Sequence, residues 1–258
     1  MLKKPYYVIE FNASAVMFEI KINDVPLLIL NVEGQASTMV PMNHLILESG
    51  IQELSINVIP VIGNTNFIKN SSYRSVIKLF DVSNGFKFEK DILFYKMTDI
   101  KEGELMPAFS YQDVFYAEVP YNLVAWKYSE DLSEIDDLRT MLDEQYIKLE
   151  NIISNRQYNT LKSLIQERED NIEKSMYLDK EERNSRFDEL IEDFENGFTI
   201  IPHTAKDKLI IFGNNKLVSL IKEDGNSALM LNNEETEEEL NIEVKFHIKS
   251  NCLELSII

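Results

Sequence analysis

Three stretches with different hydrophobic periods divide the 258-residue chain. Residues 1–128 carry runs of aromatic and β-branched side chains separated by turn residues, which is typical of β-strands. Residues 129–196 repeat apolar positions every three or four residues, as amphipathic helices do, and residues 197–258 return to short strand-like runs. The pattern predicts an α+β protein: an N-terminal antiparallel β-sandwich, a central charged helical segment and a small C-terminal antiparallel β meander. We expect three units with these bounds, unless residues 129–258 form one α+β domain.

Turn residues indicate where consecutive strands pair. Asn23-Asp24 tolerates positive φ and suits a tight hairpin, and Asn84-Gly85 is a strong hairpin signal. We expect three further turns in the C-terminal part, at Gly213-Asn214-Asn215, Asp224-Gly225 and Ser250-Asn251.

The segment from Asn43 to Val58 changes character at Gly50. An apolar cluster, NHLIL, precedes the glycine and has neither a strand nor a helix period. After the glycine, Leu54, Ile56 and Val58 alternate with polar residues, which indicates a half-buried strand. We expect the cluster to plug the open end of a sandwich, and the chain to turn at Gly50 and return as that strand.

Residues 20–60, with the stretches IKINDV, VEGQAS and VPMNHLILESGIQELSINVIP, resemble the central hairpin, crossing loop and return strand of galactose-binding-like jelly-roll sandwiches. The hairpin turn is Asn23-Asp24 where that family has Asn-Gly, and Gln52 stands where the family has an asparagine after Gly50. The resemblance implies a jelly-roll-like sandwich for the N-terminal part. It carries no sugar-binding residue over to this chain, because the loops that hold such residues do not match.

Capping residues delimit the central helices. Ser133, with Asp136 three residues later, is expected to open the first helix, and a second helix is expected across residues 158–176. For the third helix, Asp179 and Glu182 form a capping box, and Gly197 is expected to end the helix.

Charge narrows the choice of partner. The chain has 26 Lys and Arg against 44 Asp and Glu, which gives a net charge of -18. Phosphate contacts need clustered Lys and Arg, so this balance argues against nucleic acid and favours a basic protein partner. Residues 129–196 alone hold 20 acidic against nine basic residues, so the helical segment carries most of the negative charge.

The candidate partner-binding residues are paired carboxylates of the helical segment and one aromatic anchor. The carboxylates either form a docking face for a basic protein or only keep a helix surface solvated. Trp126, the only tryptophan, is expected to be buried between sandwich and helices; its alternative role is a platform for a sugar or a protein. The full set is Asp136, Asp137, Asp143, Glu144, Glu181, Glu182, Asp188, Glu189, Glu192, Asp193 and Trp126.

Catalytic and metal-binding motifs are missing from the sequence. The three histidines, His44, His203 and His247, lie far apart, and there is neither a phosphate-binding loop nor a pair of cysteines. The single cysteine, Cys252, is expected to be a small buried thiol. We therefore expect no catalytic residue, no cofactor and no metal site.

These features favour a non-enzymatic binding protein. The N-terminus lacks an apolar run of signal-peptide length and no segment has the length of a membrane span, so we expect a cytoplasmic location. The most concrete form is an immunity or inhibitor protein that occludes a basic toxin or effector. The alternative is a carbohydrate-binding or glycosidase-accessory module, which the jelly-roll resemblance implies.

Overall fold

The computed structural model describes residues 3–100, 106–223 and 225–258. The chain separates into two compact units, residues 1–123 and residues 124–258, called the N-terminal and C-terminal units below. The predicted α+β class, with β structure first, helices in the middle and antiparallel strands at the end, is confirmed.

The described residues of the N-terminal unit form one six-stranded antiparallel sheet with the order β5-β4-β1-β3-β6, in which β2 also pairs with β1. Its strands are β1 (Pro5–Ile22), β2 (Val25–Pro41), β3 (Gly50–Ile59), β4 (Ser72–Asp81), β5 (Lys87–Lys96) and β6 (Phe109–Ala117). β2 follows one edge of β1 along most of its length. The other edge of β1 pairs first with β4, over residues 5–14, and then with β3, over residues 17–22.

An irregularity near Ala15 coincides with this change of partner. Ala15 has a φ of 47°, and the register with β2 shifts between Ser14 and Val16. Apart from Val8, the buried positions are odd-numbered before the irregularity, as at Phe11, and even-numbered after it, as at Phe18. A local break in the alternation therefore keeps one side of the sheet turned to the core along all of β1.

The sheet is curled, which is compatible with a β-sandwich. Tyr95 of β5 and Tyr111 of β6, on the two terminal strands of the sheet order, stack with ring centroids 4.3 Å apart. The buried side chains include an aromatic cluster in which Phe18 packs against Phe11 and Tyr73, each at 4.9 Å. The fold thus brings distant strands together around apolar side chains.

The predicted return strand after Gly50 is confirmed. Gly50 has a φ of 144° and begins β3, whose inward side chains at Leu54, Ile56 and Val58 are buried in alternation. In the cluster before it, Asn43, Leu45 and Ile46 are buried, and residues Asn43–Leu45 form a 3-10 turn.

The C-terminal unit combines four helices with seven short strands among its described residues. The helices are α1 (Leu138–Ser154), α2 (Tyr158–Leu164), α3 (Gln166–Met176) and α4 (Lys180–Glu195). The strands are β7 (Thr199–Ile201), β8 (Lys208–Phe212), β9 (Leu217–Ile221), β10 (Met230–Asn233), β11 (Glu238–Asn241), β12 (Phe246–Ile248) and β13 (Leu255–Ile257). They form two antiparallel sheets, β11-β10-β7 and β13-β12-β9-β8. Helices and strands share one core, in which Leu142 and Tyr146 of α1 belong to the same cluster as Leu220 and Phe246.

Two helix predictions need correction. α1 begins at Leu138 and not at Ser133, because Ser133 lies in a separate 3-10 turn where the carboxylate of Asp131 accepts its N–H. The second predicted helix is two helices, which meet at the buried residue Ile165. The end of the helical segment is as predicted: the capping box of α4 is present, and Gly197, with a φ of 94°, follows the helix.

The hairpin turns agree with the sequence where the structure describes them. Asn23 and Asp24 have φ of 52° and 61°, and Gly85 lies between β4 and β5 with a φ of 86°. Asp224 lies outside the described residues. The predicted burial of Cys252 is wrong: its thiol is exposed, because the residue belongs to the turn between β12 and β13 and not to a strand.

None of the helices in the described ranges has the length and apolar character needed to cross a membrane.

Candidate functional site

Helix α4 has an apolar side and an acidic side. Phe187 and Phe194 are buried, and Phe194 stacks on Tyr158. At 3.6 residues per turn, six predicted partner-binding carboxylates project within an arc of about 140° around the helix axis. This arc does not include Phe187 or Phe194. These six, called the acidic face below, are Glu181, Glu182, Asp188, Glu189, Glu192 and Asp193. Five of them are exposed, and Asp193 is half-buried.

The arginines of α4 form ion pairs with α3 and not with the acidic face. Arg183 pairs with Asp170 and Glu173 of α3, and Arg186 pairs with Glu169 at 3.4 Å. Within the part of the chain that the structure describes, no ion pair reaches the six carboxylates. The basic side chains therefore hold α4 to α3, and the negative charge is left on the solvent side.

Some carboxylates of the acidic face also have structural roles. Glu182 accepts the N–H of Asp179 at 2.8 Å in the capping box, and Glu189 accepts the hydroxyl of Ser185 at 2.8 Å. Asp188 and Glu192 lie one helical turn apart and are exposed. They are the members of the face whose charge is most simply changed without disturbing the helix.

The predicted partner-binding carboxylates near α1 are not equivalent. Asp136 and Asp137 are exposed just before the helix, and Glu144 is exposed on it. Asp143 is half-buried, and its two carboxylate oxygens share the Nε–H of Arg139 at 2.9 and 3.0 Å. Asp143 also lies 3.4 Å from a ring nitrogen of His203. Asp143 thus belongs to an internal network. The four residues lie on or just before α1, whereas the acidic face lies on α4.

Trp126 is half-buried in a series of turns that includes Ala125, whose φ is 38°. The complete burial expected from the sequence is not what the structure shows. Its alternative role as an aromatic anchor for a partner therefore stays a prediction.

His247 and Ser129 form the arrangement closest to a serine-hydrolase site. The Ser129 hydroxyl lies 2.7 Å from Nδ1 of His247, and Glu167 lies 3.9 Å from Nε2. A catalytic triad has the opposite order, with the nucleophile on Nε2 and the acid on Nδ1. Both Ser129 and His247 are buried, and Glu167 forms an ion pair with Lys249. We therefore assign the cluster to packing of β12.

The burial of His247 makes stability depend on pH. Burial lowers the pKa of His247 below its ordinary value of 6.5; the charge of Glu167 opposes this effect and that of Lys249 adds to it. As the pH falls below about 6.5, the unfolded chain takes up a proton before the folded one does, so folding loses free energy until the folded-state pKa is passed.

We expect His247→Asn to remove this part of the pH dependence. Denaturant unfolding of the C-terminal unit at about pH 7.5 and about pH 5.5 measures the loss of stability in each variant. The control is His44→Asn, in the N-terminal unit, which should leave the loss unchanged. Equal losses in wild type and His247→Asn would show that this histidine is not the group responsible.

A polar groove on the outer surface of the N-terminal sheet was not predicted from the sequence. The groove has a volume of about 410 Å³ and crosses β2, β1, β4 and β5 next to the irregularity at Ala15. Its polar side chains form two rows, one of Ser37, Asn12, Arg74 and Lys96, the other of Gln35, Ser14 and Ser72. The alternation of apolar and polar residues along each strand indicates which polar side chains point outward. The pairing register that aligns these side chains into rows follows only from the structure.

The described residues contain no group of three or more His, Cys, Asp or Glu side chains placed to hold a metal ion. No protein-family model matches the chain, and comparisons with curated proteins and with solved structures find no match either.

Proposed function

We propose that this chain is a non-enzymatic cytoplasmic binding protein whose acidic face captures a basic protein. Its most concrete form is an immunity or inhibitor protein that occludes a basic toxin or effector. The observation that supports this most is the charge arrangement of α4: its arginines pair with α3, while six carboxylates lie together on the other side.

Occlusion by such a face has two stages. Long-range attraction between the acidic face and a basic partner raises the rate of encounter. Short-range contacts then slow dissociation, and a half-buried aromatic side chain such as Trp126 is suited to that role. The partner's working surface is covered, and the binding protein carries out no chemistry.

We expect a double charge reversal on α4 to weaken capture of the partner strongly. The protein is immobilised, exposed to extract from its source cells at low salt, and the bound proteins are identified by mass spectrometry. Asp188→Lys/Glu192→Lys should lose a basic protein that the wild type retains, because it reverses two exposed charges of the acidic face.

The matched control is Glu234→Lys/Glu235→Lys, which makes the same change in net charge on exposed residues between β10 and β11. It should retain the partner. If both variants lose the protein equally, net charge and not the acidic face governs capture, and an acidic protein as the specific partner would contradict the proposal.

The alternative is a carbohydrate-binding or glycosidase-accessory module in the N-terminal unit. The curled antiparallel sheet and the jelly-roll resemblance of residues 20–60 support it. The presence of a polar groove on that sheet supports it as well. Binding of a neutral sugar such as galactose, with no basic protein captured, would favour this alternative.

A further inference from the structure

Two cations of the polar groove lie directly opposite each other. Arg74 of β4 is the cross-strand partner of Lys96 of β5. Like charges at opposed positions destabilise a sheet, since the two side chains start only about 5 Å apart. Lys96 is partly compensated by Asp99 at 2.9 Å, whereas no carboxylate among the described residues forms an ion pair with Arg74. The sheet itself gains nothing from this pair of charges.

Neutral hydrogen-bonding groups extend the groove on the other side of Arg74. Asn12 follows Arg74 in the same row, and Ser14 and Ser72 face each other in the next row. Such side chains both donate and accept hydrogen bonds. The volume of about 410 Å³ is within the range of roughly 300 to 1,000 Å³ that small-molecule sites have.

We propose that the polar groove binds a small organic anion, with Arg74 and Lys96 on a carboxylate or phosphate group and the neutral side chains on adjacent hydroxyl groups. A guanidinium group suits this role because its planar set of N–H donors matches both kinds of oxyanion. The site is independent of the acidic face, which belongs to the other compact unit.

Calorimetric titration of the whole protein with glucuronate, glucose 6-phosphate, inorganic phosphate and glucose tests the site. We expect at least one of the two sugar anions to bind at least about tenfold more tightly than glucose and than inorganic phosphate, because it uses both the cations and the neutral groups. Binding of glucuronate would indicate a carboxylate ligand, and binding of glucose 6-phosphate would indicate a phosphate ligand.

Four variants locate the binding. Arg74→Gln should weaken it about tenfold or more, and Asp99→Asn should strengthen it by removing the competing carboxylate beside Lys96. Lys90→Gln, which removes a charge from another exposed position of β5, should leave affinity unchanged. Asp188→Lys/Glu192→Lys should also bind as the wild type does, which separates this site from the acidic face. The assignment is overturned if neither sugar anion binds, if glucose or inorganic phosphate binds as tightly, or if Arg74→Gln retains full affinity.

Discussion

Tyr146→Ala should lower the free energy of unfolding of the C-terminal unit by about 3 to 5 kcal/mol, as deletion of a large buried aromatic side chain does. Tyr146 is fully buried, and its ring packs against Phe246 and His203 with centroids 5.6 and 5.4 Å apart. The side chain connects α1 to the β13-β12-β9-β8 sheet, so the cavity is not filled by a simple side-chain movement. Denaturant unfolding followed by a probe in this unit measures the loss.

The hydroxyl of Tyr146 accounts for a smaller part of that loss. It accepts the N–H of Leu220 at 3.1 Å and lies 3.1 Å from the Ser219 hydroxyl. Burial raises the pKa of Tyr146, which keeps the hydroxyl protonated. Tyr146→Phe leaves the ring in place and the N–H of Leu220 without its partner, so we expect a loss of about 1 to 2 kcal/mol. Losses of equal size in Tyr146→Ala and Tyr146→Phe would contradict the view that the ring fills the core.

Asn43→Ala should lower the free energy of unfolding of the N-terminal unit by about 2 to 4 kcal/mol. The Asn43 side chain is completely buried, accepts the N–H of Tyr7 at 2.6 Å and donates to the carbonyl of Pro5 at 3.0 Å. Alanine leaves both backbone groups of β1 without these bonds, and each unpaired buried group costs about 1 to 3 kcal/mol.

Asn122→Ala is the control for Asn43→Ala. The Asn122 side chain is exposed and donates to Glu48 at 3.2 Å, so its removal should change stability by less than about 0.5 kcal/mol. The measurement is again denaturant unfolding, with a probe in the N-terminal unit. A loss at Asn43 as small as that at Asn122 would mean that the turn before β3 does not depend on this asparagine.

Local signals in the sequence predicted the parts of the fold that depend on neighbouring residues. The capping box at Asp179, the turn at Asn23-Asp24 and the strand after Gly50 follow from side chains within a few positions of one another. The break at Ile165 was missed because the helical apolar pattern continues through it. Cys252 was misplaced because the alternation of the last residues begins before the strand itself does.

The same distinction holds for the candidate sites: local spacing predicts some of their residues, and only the folded chain brings the others together. The acidic face was predictable because helix geometry converts spacing directly into a shared surface, as at Asp188 and Glu192. The internal role of Asp143 was not, since it depends on His203, which is 60 residues away in the chain. The polar groove likewise requires the register of four strands, so that Asn12, Arg74 and Lys96 meet only in the folded sheet.

Steering by the acidic face of α4 should bring a basic partner into the complex faster than diffusion of uncharged proteins does. The most direct test is the association rate of the captured partner, measured by stopped-flow mixing over a series of salt concentrations. We expect the association rate to fall steeply as salt rises, because screening limits exposed charges to about 8 Å at physiological salt, while the dissociation rate changes much less. Asp188→Lys/Glu192→Lys should associate slowly at every salt concentration, and Glu234→Lys/Glu235→Lys should behave as the wild type. An association rate that is indifferent to salt and to the α4 reversal would contradict the account and leave the acidic face as a solvated helix surface.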